Sequence, residues 1–169
     1  AFKTSVIKAK MICGSSNVFV SRATLADLDQ LTILFDSYRQ FYKQVADIAG
    51  AKSFLETRIK NKESVIFVAR VEPAALAGFV QLYPSFSSVG LTSSWILNDL
   101  FVAPEFRQQK TGEALIAEAV KFSKSSGARN LSLQTALTNT NAQRLYEKMG
   151  WRRDEKYYTY YYFHSEHSS

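Results

Sequence analysis

The sequence predicts a mixed α/β domain built on one sheet, and three observations carry that prediction. Leu31, Leu34, Phe35, Tyr38, Phe41, Tyr42 and Val45 recur at three- and four-residue steps, which places them on one face of a long helix. Two runs rich in β-branched, aliphatic and aromatic residues, Val65 to Ala69 and Leu76 to Leu82, have the composition of strands. Between Trp95 and Thr135 a strand, a helix and another strand follow one another, flanked by hairpin-like strands, so strands and helices share one sheet.

Each element has its own signal. A short apolar strand from Val18 to Val20 leads to Thr24, and Asp27 three residues later completes a helix-start signature. The helix after it is expected to break at Gly50, with a second helix over roughly Lys52 to Lys60. Glu72-Pro73 marks a turn, and the stretch from Pro84 to Ser88 is too polar and too broken to extend the strand before it. Pro104 stops the strand that begins at Trp95. Thr111 to Ser125 is a helix with Leu115, Ala119 and Phe122 on one side and Gly127 as its cap. Leu131 to Thr135 is a strand, and Asn141 to Lys148 a short helix capped by Gly150. From Trp151 to Phe163 tyrosines alternate with charged and polar residues as they would in paired strands.

No internal repeat or linker divides the chain, so one domain is expected over residues 18–163, followed by a polar tail at 164–169. Residues 1–17 are lysine-rich and lack an alanine-type cleavage site; they are set aside as an N-terminal extension, expected to be partly foreign to the protein.

At 169 residues the chain can bury a core without disulfides or metals, and 46% hydrophobic with 21% charged residues is the balance of a globular protein. Cys13 is the only cysteine, which excludes an intrachain disulfide, and no apolar run is long enough to span a membrane. A cytoplasmic setting follows as the expectation. His164 and His167, the only histidines, both lie in the polar tail, so neither a histidine triad nor a zinc site has its ligands and no metal is expected. Lys and Arg exceed Asp and Glu by 21 to 15, an excess that suits a nucleic acid, an acidic membrane or a polyanionic cofactor equally. No basic and aromatic interleaving of the RNA-binding kind accompanies it, so nucleic acid is not the expected partner.

The most informative segment runs from Leu100 to Leu115. A strand, a short polar loop and a helix start point free backbone N–H groups and a positive dipole end at one place, where Arg107 and Lys110 add charge. Phosphate is the natural occupant, although an ordinary strand-to-helix connection has the same outline. The residues themselves narrow the choice. Leu100-x-Val102-x-Pro104-Glu105-x-Arg107, with Gly112 and Ala114-Leu115 beyond it, resembles the acetyl-CoA motif of the GNAT superfamily of N-acetyltransferases.

The resemblance covers roughly Val18 to Phe163 and implies a mostly antiparallel central sheet with a splayed parallel strand pair and flanking helices. The family pattern is Arg or Gln, two residues, Gly, one residue, then Gly or Ala. With the register fixed on Pro104 to Arg107, Lys110 takes the first glycine position and Gly112 the second. A literal match one step along, Gln109 to Ala114, shifts the loop relative to Pro104; the first register is preferred because it also aligns Ala114-Leu115. The resemblance then implies that Arg107, Gln108, Gln109, Lys110, Thr111, Gly112 and Glu113 hold the pyrophosphate of acetyl-CoA. It also implies that Phe101 and Val102 present backbone groups to the acetyl carbonyl and the pantetheine arm.

A second segment, from Asn139 to Trp151, is similar to the family signature of Asn, two residues, Ala, two residues, Leu-Tyr-Glu-Lys, one residue, Gly and an aromatic. By that match Asn139 bonds the pantetheine arm and Tyr146 assists the leaving thiolate. Spacing alone reads Asn139 as a helix cap and Tyr146 as a packed tyrosine.

Attack on a thioester needs a neutral amine, so something must take a proton from the ammonium. Related enzymes often carry a glutamate where this strand has Asn98, which cannot accept it. Asp99 is adjacent and is a candidate catalytic residue wherever the strand is bulged enough to turn it into the site. A water chain ending on a more distant carboxylate such as Asp36 is the other option. On the acceptor side Tyr38, Tyr42 and Asn98 are candidate substrate contacts, Tyr38 and Tyr42 through a pattern similar to acetylases of polyamines, amino acids and histone tails. As an aromatic stripe they also read as core.

The expected activity is transfer of acetyl from acetyl-CoA to the primary amine of a small molecule, by direct attack in a ternary complex. Acetylation of protein lysines or N-termini, and a non-catalytic acetyl-CoA-binding regulator, are the alternatives. The acceptor is a small amine or basic peptide, and the tyrosine-rich end is expected to pair two copies into a homodimer.

Overall fold

The computed structural model describes residues 18–71 and 75–162, and it divides after Gln134 into two compact units. The Glu72-Pro73 turn, Cys13, Phe163, both histidines, the N-terminal extension and the polar tail lie outside the described residues. The first unit holds one sheet of strands β1 (Val18–Arg22), β2 (Val65–Val71), β3 (Ala75–Ser87), β4 (Thr92–Val102) and β5 (Leu131–Leu133). They lie in the order β1-β2-β3-β4-β5, antiparallel up to β4, with β5 parallel to β4. Helices α1 (Leu28–Phe41) and α2 (Ile48–Lys60) cover one face, and α3 (Thr111–Ser125) the other. This is the mixed, mostly antiparallel sheet with flanking helices that the family resemblance implies.

Strand alternation sends each side chain to one of two cores. Ile66, Val68, Phe79 and Phe101 meet Leu31, Phe35 and Leu55 beneath α1 and α2. Phe67 and Trp95 meet Phe122 of α3, with ring centroids 5.6 and 5.1 Å away. Gly78 lets β3 approach β4 closely: a Cβ there would stand 2.5 Å from the Phe101 carbonyl oxygen and 3.3 Å from Leu115. The start of α3 is thereby seated against the end of β4.

The helix-start signature forms as expected, but as a cap on a 3-10 turn, Leu25–Asp27, so α1 begins at Leu28. The Thr24 amide donates to Asp27 Oδ2 at 2.8 Å, and Thr24 Oγ1 accepts from Ala26 at 3.3 Å. Such a cap contributes about 1 kcal/mol. Arg70 then donates to Asp27 at 2.7 Å and ties this end of the helix to β2.

Several boundaries differ from expectation. The first helix stops at Phe41, well before Gly50, and Val45 is 85% exposed. The cause is local polar chemistry. Buried Asp36 accepts from Arg39, Gln40 and the Asp47 amide, each at 2.9 Å, folding the chain back, and Asp47 then caps α2 through the Gly50 amide at 2.8 Å. Gly50 therefore sits inside the second helix rather than between the two. β3 continues through Pro84 to Ser87, because it pairs with β4 up to Ser87↔Thr92. β2 leaves it at Val65↔Leu82, so Pro84 occupies an edge, where a missing N–H is tolerated. Gly127, at φ 73°, follows α3 as expected.

The second unit contains α4 (Thr140–Lys148), followed by Gly150 at φ 86°. The strands expected from Trp151 onward are not formed among the described residues to Tyr162. Tyr157, Tyr158, Tyr160, Tyr161 and Tyr162 are 65–89% exposed. Alternation is a necessary pattern for a strand, but a strand also needs a ladder with a second strand, and no such ladder forms here among the described residues.

Candidate active site

A β-bulge builds the centre of the site. Gln81 pairs with Asp99 while Leu82 pairs with Leu97, which leaves Asn98 as an extra residue in β4. Without it, Leu97, Asp99 and Phe101 would share one face. With it, Leu97 faces α3 while Asp99 and Phe101 turn to the α1 side beside Gln81 and Phe79. The bulge on which the role of Asp99 was conditional is thus present.

Asp99 is 4% exposed. Gln81 Nε2 donates to Oδ2 at 2.7 Å, Asn98 Nδ2 donates to Oδ1 at 3.0 Å, and the Tyr38 hydroxyl lies close enough to favour the charged carboxylate. Burial pushes its pKa above the ordinary aspartate value, against the pull of these donors. Among the described residues no Lys or Arg pairs with it. Tyr38 therefore meets Asp99 directly; its ring lies edge-on to Tyr42 at 5.1 Å and to Phe101 at 6.2 Å. Tyr42 is 47% exposed and Asn98 is also exposed, so both face solvent at the rim of this cluster. Asp36, by contrast, is spent on α1 and Asp47, and its pKa is held low, first by the Asp47 amide.

Gln81 and its own partner Ser64 were not among the residues expected at the site. The available signal was a single polar residue inside the apolar run from Gly78 to Leu82.

The phosphate-binding expectation falls on the end of β4 and the connection from there into α3. β5 accompanies β4 only from Trp95 to Leu97, so Asn98 to Val102 have no neighbouring strand on that side among the described residues. A 3-10 turn, Pro104–Phe106, leads to a loop in which Gln108 and Lys110 adopt left-handed backbone, φ 59° and 63°. Lys110 thus accepts the conformation that glycine takes most readily, and it is the N-terminal residue flanking α3. Among the described residues, the amides of Gln108, Gln109, Lys110, Thr111 and Gly112 donate to no backbone or side-chain acceptor. Successive free amides at a helix start form an anion nest.

Side chains brace this loop. Arg107 Nε donates to the Val102 carbonyl at 3.0 Å, and its guanidinium lies 5.7 Å from the Phe101 ring centroid. Gln109 bonds the Glu105 carbonyl at 2.9 Å, and buried Thr111 bonds that of Phe106 at 3.1 Å. Lys110 is exposed, and Glu113 sits in the first turn of α3.

In the second unit Asn139 caps α4, its Oδ1 accepting from the Ala142 amide at 3.3 Å. Tyr146 is half-buried, its ring 5.8 Å from that of Trp151, and its carbonyl accepts from the Trp151 amide. The structure brings together Asp99, Tyr38 and Asn98, and separately Phe101, Val102 and Arg107. Asn139 caps α4 and Tyr146 lies within it.

The model of the acetyltransferase (GNAT) family matches residues 31–151. An uncharacterised N-acetyltransferase of Bacillus subtilis is 41% identical over 141 residues, 83% of this chain and 94% of that one. A putative ribosomal protein bS18 alanine N-acetyltransferase, also of Bacillus subtilis, is 37% identical over 79 residues, 41% of this chain and 52% of that one. A crystal structure of a probable acetyltransferase superposes with a TM-score of 0.84 at 39% identity, covering 88% of this chain and 99% of that chain.

Proposed function

The chain belongs to the acetyltransferase (GNAT) family, and on that footing we propose that it transfers acetyl from acetyl-CoA to the primary amine of a small molecule. One observation carries the coenzyme A half: the free amides from Gln108 to Gly112 at the start of α3, with Arg107 and Lys110 beside them. Their chemistry fits a pyrophosphate, which would accept from several N–H groups at once while the two cations offset its charge. Gln108, Gln109, Thr111 and Glu113 complete the loop, and the open side of β4 at Phe101 and Val102 suits an extended amide-bearing arm such as pantetheine.

Acetyl transfer here is direct. The amine attacks the thioester carbonyl carbon, a C–N bond forms, the C–S bond breaks, and no enzyme nucleophile is needed. Asp99 takes the proton from the incoming ammonium. Its raised pKa narrows the gap to an alkylammonium near pH 10, and no Lys or Arg among the described residues pairs with it, which leaves room for one. Tyr38, Tyr42 and Asn98 surround that carboxylate on the acceptor side. A single unpaired carboxylate among aromatic rings favours an amine with one positive charge on an apolar body. The resemblance assigns pantetheine binding to Asn139, whose cap leaves its amide group free to donate, and assistance of the thiolate to Tyr146. No helix among the described residues is long and apolar enough to cross a membrane; we take the reaction to be cytoplasmic and the domain to span 18–163.

A protein N-terminus is the second reading, favoured by the name of the bS18 alanine relative. Thiol release from acetyl-CoA, measured across monoamines, polyamines, amino acids, aminoglycosides and an alanine-initiated peptide, separates the two. Turnover is expected with a monoamine; turnover with the peptide alone would overturn the small-amine reading. Coenzyme A binding with no turnover on any acceptor would point to the regulator.

A further inference from the structure

Behind Asp99 lies a buried polar chain that the proposed chemistry does not use. Ser64 Oγ donates to Gln81 Oε1 at 2.8 Å, and Gln81 Nε2 donates to Asp99 Oδ2 at 2.7 Å. Ser64, Gln81 and Asp99 are 6%, 0% and 4% exposed, and they come from the approach to β2, from β3 and from β4. Gln81 stands between Val80 and Leu82, both fully buried, where an apolar side chain would pack without the cost of hiding an amide.

A side-chain amide can turn either end toward a carboxylate, with opposite consequences. Its NH2 stabilises the ionised form, whereas its oxygen repels that form and accepts from the protonated one. Ser64 decides between them. Its hydroxyl proton has Gln81 Oε1 as its only side-chain acceptor among the described residues, and a flipped amide would leave that proton without one.

We propose that Ser64 and Gln81 are positioning residues: Ser64 fixes the Gln81 amide, and Gln81 keeps the Asp99 carboxylate ionised and aimed toward Tyr38. The proposal rests on the reading of Asp99 as the proton acceptor for its catalytic meaning, but not for its test. The other groups facing Asp99 leave the Gln81 oxygen to Ser64. Tyr38 from α1 and Asn98 within β4 also favour its charged form. Tyr83 on β3 is pushed up to about 12, first by burial and then by the Asp99 charge, so it stays neutral; its hydroxyl also meets the Gln81 amide, whose donation favours the same amide orientation. Arg58 of α2 is paired with Glu63 at 2.6 Å.

The test titrates the Asp99 carboxyl carbon by NMR in aspartate-labelled protein, its resonance identified by its loss in Asp99→Asn. Gln81→Leu removes the donor at similar volume, and its midpoint should rise by about one pH unit. Ser64→Ala should raise it by less, and Ser64→Thr should restore it. An unmoved midpoint in both Gln81→Leu and Ser64→Ala overturns the proposal; the second variant decides if the first does not fold. The acidic limb of kcat/KM, measured on the same variants, should track the NMR midpoint. A midpoint that moves while the limb does not would uphold the positioning pair and sink the reading of Asp99 as base.

Discussion

One inserted residue, Asn98, changes which face of the sheet Asp99 belongs to, and the consequences are measurable. Because the folded-state pKa of Asp99 is raised, the folded protein holds its proton more tightly than the unfolded chain does. Its contribution is therefore favourable at low pH and is lost as pH rises through the folded value. Asp99→Asn should lower kcat by about 10²–10⁴-fold while leaving Tm at neutral pH unchanged or higher, a combination that a purely structural carboxylate would not give. Asp36 has the opposite sign. Its pKa is lowered, so its stabilisation is present above the ordinary value of 3.8 and lost as pH falls through the folded value. Asp36→Ala frees the Asp47 amide and Arg39 and should cost about 2 kcal/mol, read as a fall in denaturant midpoint at pH 7 that narrows below pH 3.8. Tyr146→Phe tests the departing thiolate. A phenol lies about 1.5 pKa units above a thiol, so a hydrogen bond that strengthens with charge on sulfur is favoured over full proton transfer. Single-turnover rates should then drop by about 10²-fold with the acetyl-CoA Kd unchanged; an unaltered chemical step would leave Tyr146 a packing residue.

At the scale of elements, the loop between β4 and α3 is where backbone conformation is asked to do chemistry. Lys110 already holds left-handed backbone, the conformation glycine takes most readily, so Lys110→Gly should keep acetyl-CoA binding within a few-fold and relieve the conformation. Gly112→Val places a branched side chain among the free amides and should weaken binding by tenfold or more, measured by calorimetry; normal binding would remove the phosphate assignment. Legibility in the sequence follows the range of the interactions involved. α3 is readable to its end residues because its periodicity and Gly127 are both local signals. α1 reads too long because its end is set by Asp36 reaching Asp47, eleven residues away. Pro84 misleads because whether a proline can stay in a strand depends on which side is an edge. The proposed phosphate loop is legible from a motif, and Asp99 from its neighbour. Ser64 and Gln81 are not, since their meaning exists only once β2, β3 and β4 are side by side.

For the whole molecule, the exposed aromatic surface is the feature that composition could not locate. Tyr157, Tyr158, Tyr160, Tyr161 and Tyr162 stand 65–89% exposed within one short segment of the second unit, which forms no strand among the described residues. A lone exposed tyrosine is ordinary, but a contiguous run of them is an apolar surface with hydroxyl tips, the composition that protein interfaces favour over open solvent. Periodicity announces the segment and misassigns it as strand; its chemistry still argues for assembly. The expected partner is a second copy, because two identical tyrosine surfaces meet by a two-fold axis without further specificity. Sedimentation equilibrium should therefore give a dimer at micromolar concentration. Replacing Tyr158 and Tyr160 by serine should shift it to monomer while acetyl-CoA binding, which the α3 loop would carry, stays the same. A monomer at high micromolar concentration in the unaltered chain would sink the dimer and leave the proposed chemistry untouched. A dimer that survives the double substitution would move the interface elsewhere on the molecule.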